Sequence, residues 1–119
     1  MKQNKIIYAY QSLENLANND RFSCGVLWNL FQLKKRLQPH VDFFNERTDA
    51  IKAKYLPFAD ENGQITGEQM KQYSKEIYDL ENMDKEIESE KFTVSIKEVP
   101  GLTLKMLESL EDFIDFTNE

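Results

Sequence analysis

The sequence predicts a mainly α-helical protein with a minor β element, and three patterns in its 119 residues carry that prediction. An apolar stripe with steps of three and four residues runs from position 27 to position 55, as on one face of a helix. A second such stripe runs from position 70 to position 87. Apolar and polar residues alternate at 92–96, which is typical of a strand. Two helices joined by a short polar loop predict a long antiparallel helical hairpin.

The length and the apolar fraction of 40% suit a single domain over residues 1–119. A short N-terminal helix is predicted over about 5–18, because apolar residues recur there at helical steps: Ile6, Tyr10, Leu13 and Ala17. A strand over 6–10 is the alternative, but Ile7 would lie on its polar face, so the helix is favoured.

The long helix is predicted over about 23–56, with Ser23 as its N-cap. Its stripe comprises nine residues: Leu27, Leu30, Lys34, Leu37, Val41, Phe44, Thr48, Ile51 and Tyr55. Pro39 lies inside this pattern and removes one helical hydrogen bond. The stripe keeps its phase across the proline, which predicts a helix that is kinked near Pro39 but continuous.

A loop is predicted over 57–67, because Pro57 opens it and Asn62-Gly63 is a tight-turn dipeptide. The loop matches several positions of a calcium-binding EF-hand loop. Two ligand positions fall on Phe58 and Gln69, however, which removes most of the ligand charge and favours a plain polar turn. The next helix is predicted over about 67–89, with Thr66 as its cap, and its stripe comprises Met70, Tyr73, Ile77, Leu80, Asp84 and Ile87.

A strand is predicted over about 91–98 and a C-terminal helix over about 103–116, with Thr103 as its cap. A single strand leaves its backbone groups unpaired, so it needs a partner. Two partners remain open: the segment Phe58–Ile65, which would give a minimal two-stranded ladder, or another chain. The acidic residues that flank the strand would repel each other in a symmetric dimer, which favours the internal ladder.

The net charge is −6, and it is divided unevenly between +4 in residues 1–56 and −10 in residues 57–119. This distribution argues against direct nucleic-acid binding, because the only cluster of cations is Lys34-Lys35-Arg36. No run of about 18 apolar residues exists, so no membrane span and no membrane partner is expected. The single cysteine fits a reducing compartment such as the cytoplasm.

Catalytic residues, metal ligands and cofactors are all expected to be absent, so the protein is predicted not to be an enzyme. His40 is the only histidine, and metal sites and catalytic triads need partners that the sequence does not place beside it. Cys24 is expected to be a small buried apolar residue. The many carboxylates lie opposite the apolar stripes and indicate solvated faces.

A protein-interaction surface is the remaining prediction, because the hairpin has more aromatic surface than it can cover and the C-terminal half is acidic. The candidate residues are Trp28, Phe31, Phe43, Glu86, Glu88, Glu90, Asp112 and Asp115. The oligomeric state is left open.

Several segments resemble a group of small uncharacterised proteins encoded by bacterial phages and prophages. The matching pieces are 9–13 with Leu16, 33–39, Lys54-Tyr55, the turn at 60–63, and a late strand followed by a leucine-rich helix. The stretch between the two halves of the long helix is unusually aromatic here and departs from that group. The resemblance implies a mobile-element origin and no particular activity.

The leading hypothesis is therefore a non-enzymatic phage or prophage protein that acts through protein–protein contacts, as a virion or assembly component or as an assembly adaptor. The alternative is an acidic inhibitor of a host defence protein, which would occupy that protein's basic nucleic-acid-binding groove. The expected location is the cytoplasm of the bacterial host cell or the virion.

Overall fold

A computed structural model describes residues 1–17, 22–87 and 91–118 of the chain. Within these ranges the chain forms four α-helices, two short 3-10 helices and two strands. The helices are α1 (Gln3–Ala17), α2 (Cys24–Tyr55), α3 (Gly67–Glu81) and α4 (Leu104–Leu110), and the strands are β1 (Phe92–Ser95) and β2 (Ile114–Thr117). The prediction of a mainly helical fold with a minor β element is confirmed.

Helix α2 is the longest element, with 32 residues, and spans about 48 Å at 1.5 Å per residue. The Ser23 hydroxyl accepts a hydrogen bond from the backbone N–H of Val26 at 3.4 Å, so it is the N-cap. The helix continues through Pro39 and gives way to a 3-10 turn over Leu56–Phe58, where Pro57 enters. The molecule is elongated as a result, with extents of 54 × 29 × 21 Å.

Two clusters of buried side chains form around α2 in the described part of the chain. The larger cluster lies between α1, the first half of α2, α4 and the two strands, and its fully buried members include Ile6, Leu33, Leu37, Leu110 and Phe113. The smaller cluster lies between the second half of α2 and α3, and its buried members are Ile51, Tyr55 and Leu80.

Helix α3 ends at Glu81, so the predicted extension to position 89 is wrong. Asn82 ends the helix: both its backbone N–H and its side-chain amide donate to the Tyr78 carbonyl, at 3.0 and 2.8 Å. The chain then pairs with the N-terminal segment, where Gln3 N–H donates to Met83 O and Lys85 N–H donates to Met1 O. Ile87 continued the helical pattern in the sequence, but it packs against the larger cluster.

The strand partner differs from both predicted alternatives. β1 pairs in parallel with β2, with Phe92 opposite Ile114 and Ser95 opposite Thr117. The predicted C-terminal helix over 103–116 therefore ends early, at Leu110, and the chain turns where Phe113 N–H donates to Leu110 O at 2.9 Å. α4 is the crossover that a parallel pair requires. β1 is also shorter than the predicted 91–98, because a 3-10 turn over Ile96–Glu98 follows it.

The segment 59–66 between the 3-10 turn and α3 folds as a polar turn around Asp60. The Asp60 carboxylate accepts hydrogen bonds from the backbone N–H groups of Asn62 and Gln64, both at 2.9 Å. Gly63 has a φ of +75°, a left-handed conformation that favours glycine. Thr66 precedes α3 at the cap position, but its side chain makes no capping hydrogen bond.

Candidate functional site

The candidate site on α2 is a face that points away from the larger cluster. Residues at steps of three and four are buried along α2, namely Val26, Leu30, Leu33, Leu37 and Val41. Because a helix turns by 100° per residue, the side chains of Leu27, Trp28 and Phe31 fall outside that stripe. We call these three residues the aromatic face.

The aromatic face is exposed and its two rings contact each other. Trp28 is 61% exposed, Phe31 53% and Leu27 39%. The ring centroids of Trp28 and Phe31 lie 5.8 Å apart at an interplanar angle of 33°. Large apolar side chains exposed together on one face are more informative than single exposed ones, because isolated ones are common on any protein surface.

Phe43, the third predicted aromatic site residue, lies elsewhere. It is twelve residues beyond Phe31 on the same helix, which is a separation of about 18 Å along the axis. It is half-buried and packs against the smaller cluster. The Lys85 ammonium lies 3.8 Å from the centroid of its ring, in a cation–π contact. Phe43 therefore belongs to the packing between α2 and the segment after α3, and the structure does not bring it to the aromatic face.

Two of the predicted acidic residues, Asp112 and Asp115, line the same open groove between α4 and β2, and Glu86 does not line it. Glu86 is exposed in the segment after α3. Asp112 lies 3.9 Å from the Lys5 ammonium, and Asp115 lies 3.7 Å from that of Lys91; all four side chains are substantially exposed. Glu88 and Glu90 lie outside the described residues.

A short ion pair joins α2 to α3. The Lys54 ammonium donates to a carboxylate oxygen of Glu76 at 2.8 Å. This hydrogen bond lowers the pKa of Glu76 below its usual value, and the Tyr55 hydroxyl acts in the same direction. The same contact raises the pKa of Lys54. The neighbouring carboxylate of Glu76 also raises the pKa of Tyr55, because it opposes formation of the phenolate.

Cys24 is exposed, so the prediction that it is buried is wrong. The reason is its position in the first turn of α2, two residues before Val26, which places its side chain about 200° around the helix from the start of the buried stripe. His40 is half-buried, and its backbone carbonyl accepts a hydrogen bond from the side-chain amide of Gln3 at 3.0 Å. Over the described residues, no three histidine, cysteine, aspartate or glutamate side chains come together in a way that could hold a metal ion.

Sequence reasoning missed two exposed leucines. Leu27 was assigned to the buried stripe, but it is exposed because the buried stripe starts at Val26. The steps of four, three and four from Val26 through Leu37 were the signal that could have identified this phase. Leu104, at the start of α4, is 71% exposed. It follows the Thr103 cap directly, in the first turn of α4.

A comparison with protein-family models, with curated proteins and with solved structures finds no match to this chain. Within the described ranges, none of the helices combines the length and the apolar character that crossing a bilayer requires.

Proposed function

We propose that this protein is a non-enzymatic phage or prophage protein that acts through protein–protein contacts, as a virion or assembly component or as an assembly adaptor. The observation that carries the proposal is the aromatic face of α2. Leu27, Trp28 and Phe31 are exposed side by side near the capped start of a long helix. Tryptophan and other large apolar side chains supply much of the energy at protein interfaces.

The position of the aromatic face supports its role as a contact surface. It lies on the half of α2 whose opposite side packs into the larger cluster, so the backbone that carries it is held by buried leucines. A partner that binds there would pay little to order the helix, because it is already folded. The partner that fits is a protein with an apolar recess, in keeping with a structural or assembly protein of a phage.

The antiparallel hairpin is part of the same proposal. Two contacts support it: Tyr55, at the end of α2, packs edge-to-face on Tyr73 with ring centroids 5.7 Å apart, and Phe43, earlier on α2, meets Lys85 beyond α3. Contacts that pair later residues of α2 with earlier residues of the following segment are those of an antiparallel pair. The hairpin would extend α2 beyond the larger cluster as an arm, which suits a component that bridges two partners.

The experiment is in-cell cross-linking with the full chain, expressed in a bacterial host that carries related prophages. We expect cross-linked partners to be phage structural or assembly proteins, identified by mass spectrometry. Replacing Trp28 and Phe31 together by alanine should weaken the contact by about thirtyfold, which is roughly 2 kcal/mol for hot-spot aromatic residues.

The matched control is Tyr78→Ala, since Tyr78 is 64% exposed on α3 and lies away from the aromatic face. Circular dichroism should show all variants folded, because the replaced side chains are on the surface. Equal capture by the double variant and the control would refute a role for the aromatic face. A partner that is neither structural nor an assembly protein would refute the proposed function itself.

The second candidate is the acidic inhibitor of a host defence protein, with a basic nucleic-acid-binding groove as its target. The observation that favours it is the net charge of −10 in residues 57–119. Glu86, Asp112 and Asp115 are exposed and would contribute to that surface. The two candidates differ in salt dependence: an acidic inhibitor should lose affinity steeply as ionic strength rises, whereas an apolar contact should not. An acidic inhibitor would act in the host cytoplasm, whereas a virion or assembly protein would act in the host cytoplasm or the virion.

A further inference from the structure

The small sheet has open edges. Over the described residues, β1 and β2 pair only with each other, in parallel, through the register from Phe92–Ile114 to Ser95–Thr117. In a two-stranded sheet each strand has one edge whose backbone N–H and C=O groups have no strand partner. Such an edge is a template on which an extended segment of another chain can add as a further strand.

An open groove of about 530 Å³ lies between α4 and β2. Four apolar side chains line it: Leu104 and Leu107 from α4, and Ile114 and Phe116 from β2. Leu104 is 71% exposed, and Leu107 and Phe116 are half-buried, so much of this apolar surface is open to solvent. The groove therefore offers pockets for apolar side chains beside a strand of the sheet.

Carboxylates surround the apolar lining. Glu108, Glu111, Asp112 and Asp115 line the same groove, and among the described residues Lys91 is the one cation in its lining. Lys91 is already 3.7 Å from Asp115, so its charge is partly compensated. Asp112 is likewise 3.9 Å from the Lys5 ammonium. The four carboxylates of the lining still outnumber its lysine, which gives the groove a net negative charge and favours an occupant with positive charge.

We propose that this groove binds an extended, basic segment of a partner protein, in which lysine or arginine alternates with apolar residues and which adds to the sheet beside β2. Alternation is the pattern that a strand imposes, because successive side chains point to opposite faces. The apolar side chains fit the leucine-lined floor, and the cations meet the four carboxylates. This surface shares no residue with the aromatic face, and the inference does not depend on the function proposed for that face.

A second copy of this chain is a poorer occupant. Two copies that paired through β2 would bring Asp115 and its neighbouring carboxylates towards the same groups of the other copy. Like charges opposite each other destabilise strand pairing. A basic segment would instead be attracted to the carboxylates of the groove, so charge complementarity favours it over a second copy.

The test uses the full chain and a short synthetic peptide in which valine alternates with lysine, with binding measured by fluorescence anisotropy. We expect binding that weakens as salt increases, and new hydrogen-exchange protection of the β2 amides in the complex. Leu104→Lys and Glu108→Lys should each weaken binding by about tenfold, because the first blocks the apolar lining and the second reverses a rim charge.

The matched controls are Leu56→Lys and Glu61→Lys, which place the same changes at exposed positions away from the groove; Leu56 is 69% exposed. Both should bind the peptide as the wild-type chain does. A peptide with alternate amides N-methylated keeps the charges but cannot pair as a strand, and it should bind weakly. The proposal would be overturned if the N-methylated peptide bound as tightly as the unmodified one, or if the control variants weakened binding as much as Leu104→Lys and Glu108→Lys do. Failure of the wild-type chain to bind the unmodified peptide would also overturn it. A dimer that Leu104→Lys disperses would assign the groove to a second copy and would overturn it too.

Discussion

The two ends of α2 are held very differently. The first half belongs, with α1, α4 and the strands, to a cluster with fourteen buried side chains among the described residues, whereas the second half packs against α3 in a cluster with three. The rest of the smaller cluster is half-buried: Phe43, Phe44, Ile65, Tyr73 and Ile77. A single helix thus joins a well-packed end to a thinly packed one.

The length of an apolar stripe therefore does not measure how deeply the stripe is buried. The apolar stripe along α2 is as regular after Pro39 as before it, but in the described part of the chain α3 is the one helix that packs on its second half. The radius of gyration is 17.7 Å, against about 13.5 Å for a compact chain of this length. Local opening is therefore expected to be easier at the α3 end, where fewer buried contacts must be broken.

The largest expected effect is the difference between core truncations at the two ends. Phe113→Ala, in the larger cluster, should destabilise the fold by about 3–5 kcal/mol, because Phe113 is 1% exposed and its removal leaves a cavity. Ile77→Ala, in the smaller cluster, should cost about 1–2 kcal/mol, because Ile77 is only half-buried. Urea denaturation followed by circular dichroism measures both.

Leu37→Ala tests the larger cluster from α2 itself, since Leu37 lies on that helix and is fully buried in the cluster. It should fall in the range of about 2–5 kcal/mol that buried leucines show. Equal losses in the free energy of unfolding for Phe113→Ala and Ile77→Ala would mean that the two ends of α2 are equally well packed, contrary to the difference described above.

The helical part of the fold was predictable because helices are specified locally. The Ser23 cap, the three-and-four steps and the phase across Pro39 are all features of neighbouring residues. The sheet was not predictable in the same way. Ile114 and Phe116 alternate with Asp115 and Thr117, which is a strand pattern, but it directly follows a helical run and was absorbed into it. Parallel pairing across α4 is a long-range contact that no local pattern specifies.

The candidate site also divides into residues that local sequence predicts and contacts that only the fold creates. Trp28 and Phe31 could be selected from the sequence as surplus aromatic residues, and both are exposed. Phe43 could not be separated from them, because its contacts with the smaller cluster and with Lys85 join segments that are distant in the sequence. The leucine-lined groove at α4 was missed, since it exists only where α4 and β2 meet in the folded chain. Local spacing predicts which side of a helix is apolar, whereas the fold decides which apolar side chains remain exposed.

A smaller effect is expected from removing the helix caps. Thr103 precedes α4 at the well-packed end and Thr66 precedes α3 at the thinly packed end, so the two threonines form a matched pair. The Thr103 hydroxyl accepts a hydrogen bond from Met106 N–H at 3.2 Å, whereas Thr66 makes no side-chain capping bond. Thr103→Ala should therefore cost about 1 kcal/mol, and Thr66→Ala should cost much less. Thr103→Ser and Thr66→Ser should leave stability nearly unchanged because serine is an equally good cap. A loss at Thr66 equal to that at Thr103 would contradict the difference in capping; thermal melts are sensitive enough to detect it.

The smallest expected effect concerns the ion pair that joins α2 to α3 at the thinly packed end, because exposed pairs contribute little. The hydrogen bond from Lys54 lowers the pKa of Glu76 below its ordinary value, so the stability that the pair contributes is present above that ordinary value and is lost as the pH falls through the folded pKa. Folding raises the pKa of Lys54 above 10.5, so the same contribution is lost again as the pH rises through that folded pKa. Glu76→Gln should accordingly lower the urea midpoint by a constant amount between these limits, and the gap from the wild-type chain should narrow outside them. In a Lys54→Met background the gap should be much smaller at every pH. If it persists there undiminished, Glu76 stabilises the α3 end through contacts other than its ion pair with Lys54.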